Sequence, residues 1–340
     1  MSAPIIAFFN NTGGVGTTSL VYHLAWMFND LGWRVLAADL DPQANLSAAL
    51  FDEDRLEQFW PDDEHPQTID GCLEPLKQGT GDFKVPHLEI EQNLLPLVGD
   101  LRLAAFEDEL SSQWAACFTG NPHAFRVVSA FWRILQEMGR LHRSHIVLID
   151  LGPNLGAINR AALIAADYLI VPLAPDLFSL QGLRNLGPAI QRWREGWQEI
   201  LRKAPPGAPA LPRGKIEPIG YIVQQHSVRL DRPAKSYEKW MNRIPAEYER
   251  WVSGKATSPP PSPRRDPHCL ALLKHYRSLM PMAEEARKPM FQLTVADGAI
   301  GSHLQAAQSV RQDFAGLAST IAQQIGIEAG GKSWRPPATQ

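Results

Sequence analysis

Short apolar runs alternate with amphipathic stretches along this chain of 340 residues. Ile5 to Phe9 is a continuous apolar run, suited to a strand buried on both faces. From Thr18 to Leu31 the positions Leu20, Val21, Leu24, Ala25, Met27, Phe28 and Leu31 recur at helical spacing, and Gly32 stands where a helix stops. Trp33 to Ala38 is a second apolar run, so strand, loop, helix and strand follow one another as in a β-α-β unit. The signal thins over residues 51 to 143, where acidic turns, a strand near Leu94 to Val98 and a helix over Phe125 to Leu141 are expected. It returns with a strand at Ile146 to Asp150, a helix at Arg160 to Ala166, a strand at Tyr168 to Pro172 and a long helix at Ser179 to Trp197. A further strand is expected at Ile219 to Gln224, basic helices over 226 to 257, and a closing helix from Gly298 to Ile325. Such alternation predicts an α/β protein with a doubly wound, mainly parallel sheet and helices on both faces. One domain over 1 to 327 is expected, with insertions at about 51–143, 203–215 and 254–268. The proline-rich stretch Ser258 to Pro267 reads as mobile and residues 328 to 340 as a frayed tail.

Composition narrows the class. The chain is 44% hydrophobic and 20% charged, which suits a soluble globular protein. Its longest apolar runs are strand-sized, far below the roughly 20 residues of a membrane helix, and the N-terminus lacks a signal-peptide layout, so a cytoplasmic location is expected. Cys72, Cys117 and Cys269 show no metal-ligand spacing and read as isolated thiols. The formal charge of −3 hides an asymmetry: residues 51 to 110 hold 16 acidic against 4 basic residues, and residues 184 to 288 hold 20 basic against 10 acidic. The basic half fits either contact with nucleic acid or solvated faces that pair with the acidic segment.

Candidate chemistry sits where strands end. The loop Asn10-Asn11-Thr12-Gly13-Gly14-Val15-Gly16-Thr17-Thr18-Ser19 lies between the first strand and helix. Its glycines allow a tight turn that aims N–H groups at phosphate oxygens, and the helix that follows points its positive end at the same anion. Thr18 and Ser19 stand where hydroxyls reach a metal ion and a phosphate, while Thr17 stands where the usual phosphate loop carries lysine. Asp39 and Asp41 end the second strand; read as alternating strand positions they face opposite sides, one bracing the loop and the other facing phosphates or an attacking water. Asp150 ends another strand, as a magnesium-holding acid does, and Gly152 lets a backbone N–H approach a terminal phosphate.

The order of T-G-G-V-G-T-T-S, D-L-D-P-Q-A-N-L-S, H-I-V-L-I-D-L-G-P-N-L-G and A-A-D-Y-L-I-V-P-L-A-P-D-L-F-S-L-Q-G-L resembles the ParA/MinD group of partition ATPases, most closely ParA. The resemblance covers 4–50 and 144–186 well, 215–325 loosely, and 51–143 poorly. It implies ATP or ADP with Mg2+ as cofactors. The phosphate cradle would be Thr12, Gly13, Gly14, Val15, Gly16, Thr17, Thr18 and Ser19, with Thr18, Asp41 and Asp150 at the metal. Asp41 and Asp150 would support hydrolysis, with Asp39 and Gly152 beside them, and Gln224 and Gln225 would lie near the base. It further implies a homodimer, a ParB-like or cargo adaptor partner, and non-specific DNA binding through Arg264, Arg265, Lys274, Arg277, Arg287 and Lys288. A membrane role is not expected, because the tail Gly330 to Pro337 cannot form an amphipathic helix. Family members carry K-G-G-x-G-K-[ST]; here Thr12 and Thr17 replace both lysines, so hydrolysis should be feeble or absent. A non-catalytic scaffold on the same fold is the alternative.

Overall fold

A computed structural model describes residues 2–86, 93–224, 234–254, 261–276 and 278–327, without the side chains of 234–237. The strands are β1 (Ile5–Phe8), β2 (Val35–Asp39), β3 (Leu94–Leu97), β4 (Ile146–Asp150), β5 (Tyr168–Leu173), β6 (Glu217–Gln224) and β7 (Cys269–Leu273). They form one sheet in the order β3-β2-β4-β1-β5-β6-β7, and every neighbouring pair is parallel. The helices are α1 (Thr17–Asp30), α2 (Asn45–Leu50), α3 (Glu53–Phe59), α4 (Ile69–Lys77), α5 (Phe106–Cys117), α6 (Pro122–Val128) and α7 (Ala130–His142). They continue with α8 (Ala157–Ala165), α9 (Leu177–Leu201), α10 (Ala234–Met241), α11 (Ile244–Tyr248), α12 (Leu279–Ala286) and α13 (Ser302–Gln324).

Strand alternation divides the core into two layers. Ile5, Ala7, Leu36, Ala38, Val147, Ile149, Leu169, Val171 and Tyr221 face one side, packed under residues of α4 to α9 and α11. Ile6, Phe8, Val35, Ala37, Ile146, Leu148, Ile170 and Ile222 face the other, packed under α1, α12 and α13. Helices therefore cover both faces, as the alternation predicted. The segment 51–143 is woven into the first layer: Cys72, Leu73, Phe106, Phe125 and Phe131 are buried there, and β3 pairs with β2.

Two sequence expectations change. Residues 258 to 267 do not read as mobile where they are described: Pro263–Arg265 forms a 3-10 turn, and buried Asp266 accepts a hydrogen bond from the Tyr221 hydroxyl at 2.6 Å. β7 was not expected at all, since it is a short edge strand with half-exposed positions and no continuous buried run. Residues 328–340 and Arg277 lie outside the described residues.

Candidate functional site

The chain order places the crevice. β1 is followed by β2 on one side, whereas β4 is followed by β5 on the other, so the carboxyl ends of β1 and β4 lie at the point where the winding reverses. Open parallel sheets bind ligands at such points. The loop 10–16 leaves β1 there and enters α1 through Gly14 and Gly16, at φ of 75° and 80°, a region costly for residues with a Cβ. α1 begins with no side-chain cap and no acid in its first turn, so its free N–H groups and dipole face the crevice unopposed.

The loop is held from both sides. Asn10 Nδ2 donates to the Pro172 carbonyl at 2.8 Å, and the Thr12 hydroxyl donates to the Phe178 carbonyl at 3.1 Å. Gln224 Nε2 donates to the Gly16 carbonyl at 2.9 Å, so this residue braces the loop; Gln225 lies outside the described residues. Val15 is buried beneath the loop, while Gly13 and Gly14 are exposed and Thr17, Thr18 and Ser19 half-buried on the first turn of α1.

Three carboxylates converge beside this loop. Asp39 and Asp150 are paired in register across β2 and β4, and both are buried. Neither oxygen of Asp150 has a hydrogen-bond partner. Burial holds its carboxyl well above the usual range, and the charges of Asp39 and Asp41 add to this; the nearby Thr18 hydroxyl offsets it only in part. Asp39 is pushed up to about 7, first by burial, although Ser47 donates to it through N–H and hydroxyl, both at 2.8 Å. Burial also raises Asp41, whose Oδ1 accepts the Gln43 N–H at 3.0 Å. Asp41 packs so closely on Gly152 that a Cβ there would lie 2.8 Å from Asp41 Oδ1. The two side chains have separate partners: Asp39 takes Ser47 and lies against Gly99, whereas Asp41 takes the Gln43 N–H and lies against Gly152. β2 ends at Asp39, Asp41 belongs to the turn, and the Asp41 N–H itself donates to Asp39 Oδ1 at 3.3 Å.

Several supporting residues carried no sequence signal. The Ser47 hydroxyl accepts the Gly99 N–H at 2.7 Å while donating to Asp39, which ties two distant segments to one carboxylate. Asn159 Nδ2 donates to the carbonyls of Gly152 and Asn154, both at 2.6 Å, and Glu107 accepts the N–H groups of Ala157 and Ile158 that open α8. His23 Nδ1 donates to the Ser19 carbonyl at 2.7 Å and its Nε2 accepts the Met290 N–H at 3.2 Å. This arrangement requires a neutral ring, and burial lowers its pKa to about 4. All these partners are separated in sequence or bond to backbone, so no local motif announces them.

A cavity of about 310 Å³ adjoins the loop, lined among others by Thr18, Ser19, Asn45, Arg287 and Lys288. Arg287 donates to the Phe51 carbonyl and Lys288 pairs with Asp297 at 2.7 Å. Exposed Arg264 and Arg265 precede β7, whereas Lys274 follows it, so the basic candidates fall at opposite ends of the sheet.

The residues fit a metal-bound anion in this crevice. Asp150 leaves both oxygens without a donor, Thr18 stands beside it, and the start of α1 offers N–H groups to phosphate. A parallel sheet whose central strand enters a glycine-rich loop and a helix N-terminus, with acids on neighbouring strand ends, defines the P-loop nucleotide-binding class. Residues 3–203 match the family model described as AAA domain, and the chain belongs to this family, within its ParA/MinD branch. It is 29% identical over 197 residues to the chromosome-partitioning ATPase Soj of Thermus thermophilus, covering 58% of this chain and 65% of that one. In structure it is similar to protein DIP2308 of Corynebacterium diphtheriae (TM-score 0.68, 22% identity, 94% and 98% of the two chains). It is also similar to the Cyanothece McdA(D38A)–ATP complex (TM-score 0.60, 14% identity, 96% and 98%). The chain spans about half the length of most curated relatives it matches. No helix among the described residues is long and apolar enough to cross a membrane.

Proposed function

We propose that this chain is a ParA-like nucleotide-binding protein for DNA partition or cargo positioning, which takes ATP with Mg2+ into the crevice and pairs with a second copy around it. The observation that carries this reading is Asp150, a buried carboxylate with neither oxygen bonded, facing a phosphate-type loop. In this reading Thr18, Asp41 and Asp150 hold the Mg2+, directly or through water. The N–H groups from Gly13 to Ser19 cradle the phosphates, and the Gly152 N–H approaches the last of them. Bound Mg2+ neutralises phosphate charge and stabilises the charge that develops in phosphoryl transfer. With Thr12 and Thr17 in place of both lysines, neither loop position offers an ammonium for that task, and hydrolysis is slow. Basic residues late in the chain supply the contact with DNA, and an adaptor of the ParB or cargo type sets position.

Calorimetric titration with ATP–Mg2+ tests the site. Binding by the unaltered chain that falls at least tenfold in Asp150→Asn supports it; no binding at millimolar ATP, or equal binding by both, overturns it. ATPase activity that appears in Thr12→Lys with Thr17→Lys shows that only the lysines were missing. The non-catalytic scaffold is favoured by one observation, the commitment of the Thr12 hydroxyl to the Phe178 carbonyl, and it predicts no activity from that double change. Filter binding with no DNA retained at low salt, with or without ATP, removes the DNA part.

A further inference from the structure

A second group of ligand-type side chains lies at the far edge of the sheet, away from the loop. Glu249 opens a π-turn (Glu249–Ser253) that follows α11, while Asp266 and His268 lie in the segment entering β7. One donor atom from each of the three lies within 4.8 Å of the other two. Glu249 and Asp266 are 3% and 5% exposed, and His268 is half-buried. Two carboxylates and an imidazole form a donor set for a borderline first-row divalent ion. Donors held at about 2.0–2.2 Å around a tetrahedral ion sit about 3.4 Å apart, so closing this set takes little more than about 1 Å of side-chain movement.

Tyr248 supplies an independent observation. It is wholly buried, and its hydroxyl has no hydrogen-bond partner. Its ring packs against Tyr221 at 5.1 Å and His268 at 5.4 Å, and Asp266 lies close enough for its charge to act on the phenol. An orphaned buried hydroxyl is costly, and here it belongs to a ring packed against one member of the cluster and within reach of the charge of another. The Tyr221 hydroxyl donates to Asp266 Oδ2 at 2.6 Å and the His268 N–H to Asp266 Oδ1 at 2.9 Å, outer donors of the sort that orient a ligating carboxylate. Access exists as well: a cavity of about 540 Å³, lined by Arg194, Lys215, Glu217, Ser253 and His268 among others, opens onto the same place. π-turns inside helices are rare and cluster at functional sites.

We infer that Glu249, Asp266 and His268 bind one divalent transition-metal ion of the Zn2+ or Mn2+ class, with the Tyr248 hydroxyl donating to a water on that ion. The His268 Nδ1 already lies 3.2 Å from Asp266 Oδ1, and the ion draws this pair and Glu249 together, pinning the π-turn to the edge strand.

The test uses the full chain, stripped with a chelator and free of nucleotide, titrated calorimetrically with ZnCl2 and separately with MnCl2. One equivalent is expected to bind one of the two at micromolar affinity or tighter, with a melting temperature raised by several degrees. Glu249→Gln and His268→Gln should each weaken this binding at least tenfold, whereas Asp150→Asn, in the other carboxylate group, should leave it unchanged. Should those variants fold poorly, CoCl2 added to the unaltered protein gives a variant-free readout. Visible absorption bands of a nitrogen- and oxygen-ligated ion, altered in Tyr248→Phe, are expected. Absence of one-equivalent binding and of the cobalt bands overturns the inference, as does binding that survives both Gln variants or is lost only with Asp150.

Discussion

Asp150 and Asp266 are both buried carboxylates near the end of a strand, yet the chain treats them differently. Asp266 meets a donor on each oxygen, Tyr221 on one and the His268 backbone on the other. Asp150, paired in register with Asp39 and close to Asp41, has no donor in good hydrogen-bond geometry, only the Thr18 hydroxyl and the Leu151 N–H nearby. Burial with no donor favours the protonated carboxyl over the charged one, and a cation beside it would reverse that preference. The edge cluster thus has its carboxylate oriented in advance, whereas the central crevice holds carboxyls that burial and one another push toward the protonated form. Acidity by itself therefore says little about a site; the hydrogen-bond support of each oxygen separates the two cases.

The sharpest way to break this comparison is at Gly187, where α9 meets the backbone carbonyl of Trp251 so closely that a Cβ would overlap it. Gly187→Ala should cost about 3 kcal/mol in urea unfolding, since neither backbone can yield cheaply. The damage should stay at the edge: ATP–Mg2+ affinity within about threefold of the unaltered chain keeps the regions separate, and a parallel collapse of both merges them. An effect of similar size, reached by acid, is expected on the crevice side. The folded-state pKa of His23, about 4, is below its ordinary value of 6.5. Its contribution is therefore whole above pH 6.5 and lost as pH falls through 4, by up to about 3 kcal/mol. Denaturant melts across that range should slope in the unaltered chain and flatten in His23→Gln; equal slopes would remove the neutral bridge. The smallest effect is that of Ser47→Ala, which strips Asp39 of a donor and the Gly99 N–H of its acceptor, at about 2 kcal/mol. If the crevice is held by this support, nucleotide affinity should fall with stability.

Much of the crevice was legible because its parts are local. The apolar runs of β1, β2 and β4 stop at the crevice, and glycines mark the turn that leaves β1. What supports those residues was not legible, because Ser47, Gly99, Asn159 and Glu107 reach the site through pairings set only once the sheet closes. β7 was missed because an edge strand needs only one buried face, and the prolines before it suggested freedom that the hydrogen bond from Tyr221 to Asp266 removes.

Gly182 carries a constraint of another kind. It sits on α9 with ordinary helical backbone, yet a Cβ there would collide with Asn10 Oδ1 and lie 2.9 Å from Thr12 Oγ1. In a saturation library, position 182 should accept glycine alone against the present residues 10 and 12, although its torsions suit any amino acid. Trimming Asn10 should relax that restriction, so substitutions at 10, 12 and 182 are epistatic. A lineage that altered the start of this loop would have to cross a ridge in sequence space, and the order of its steps would be set by a single missing methyl group.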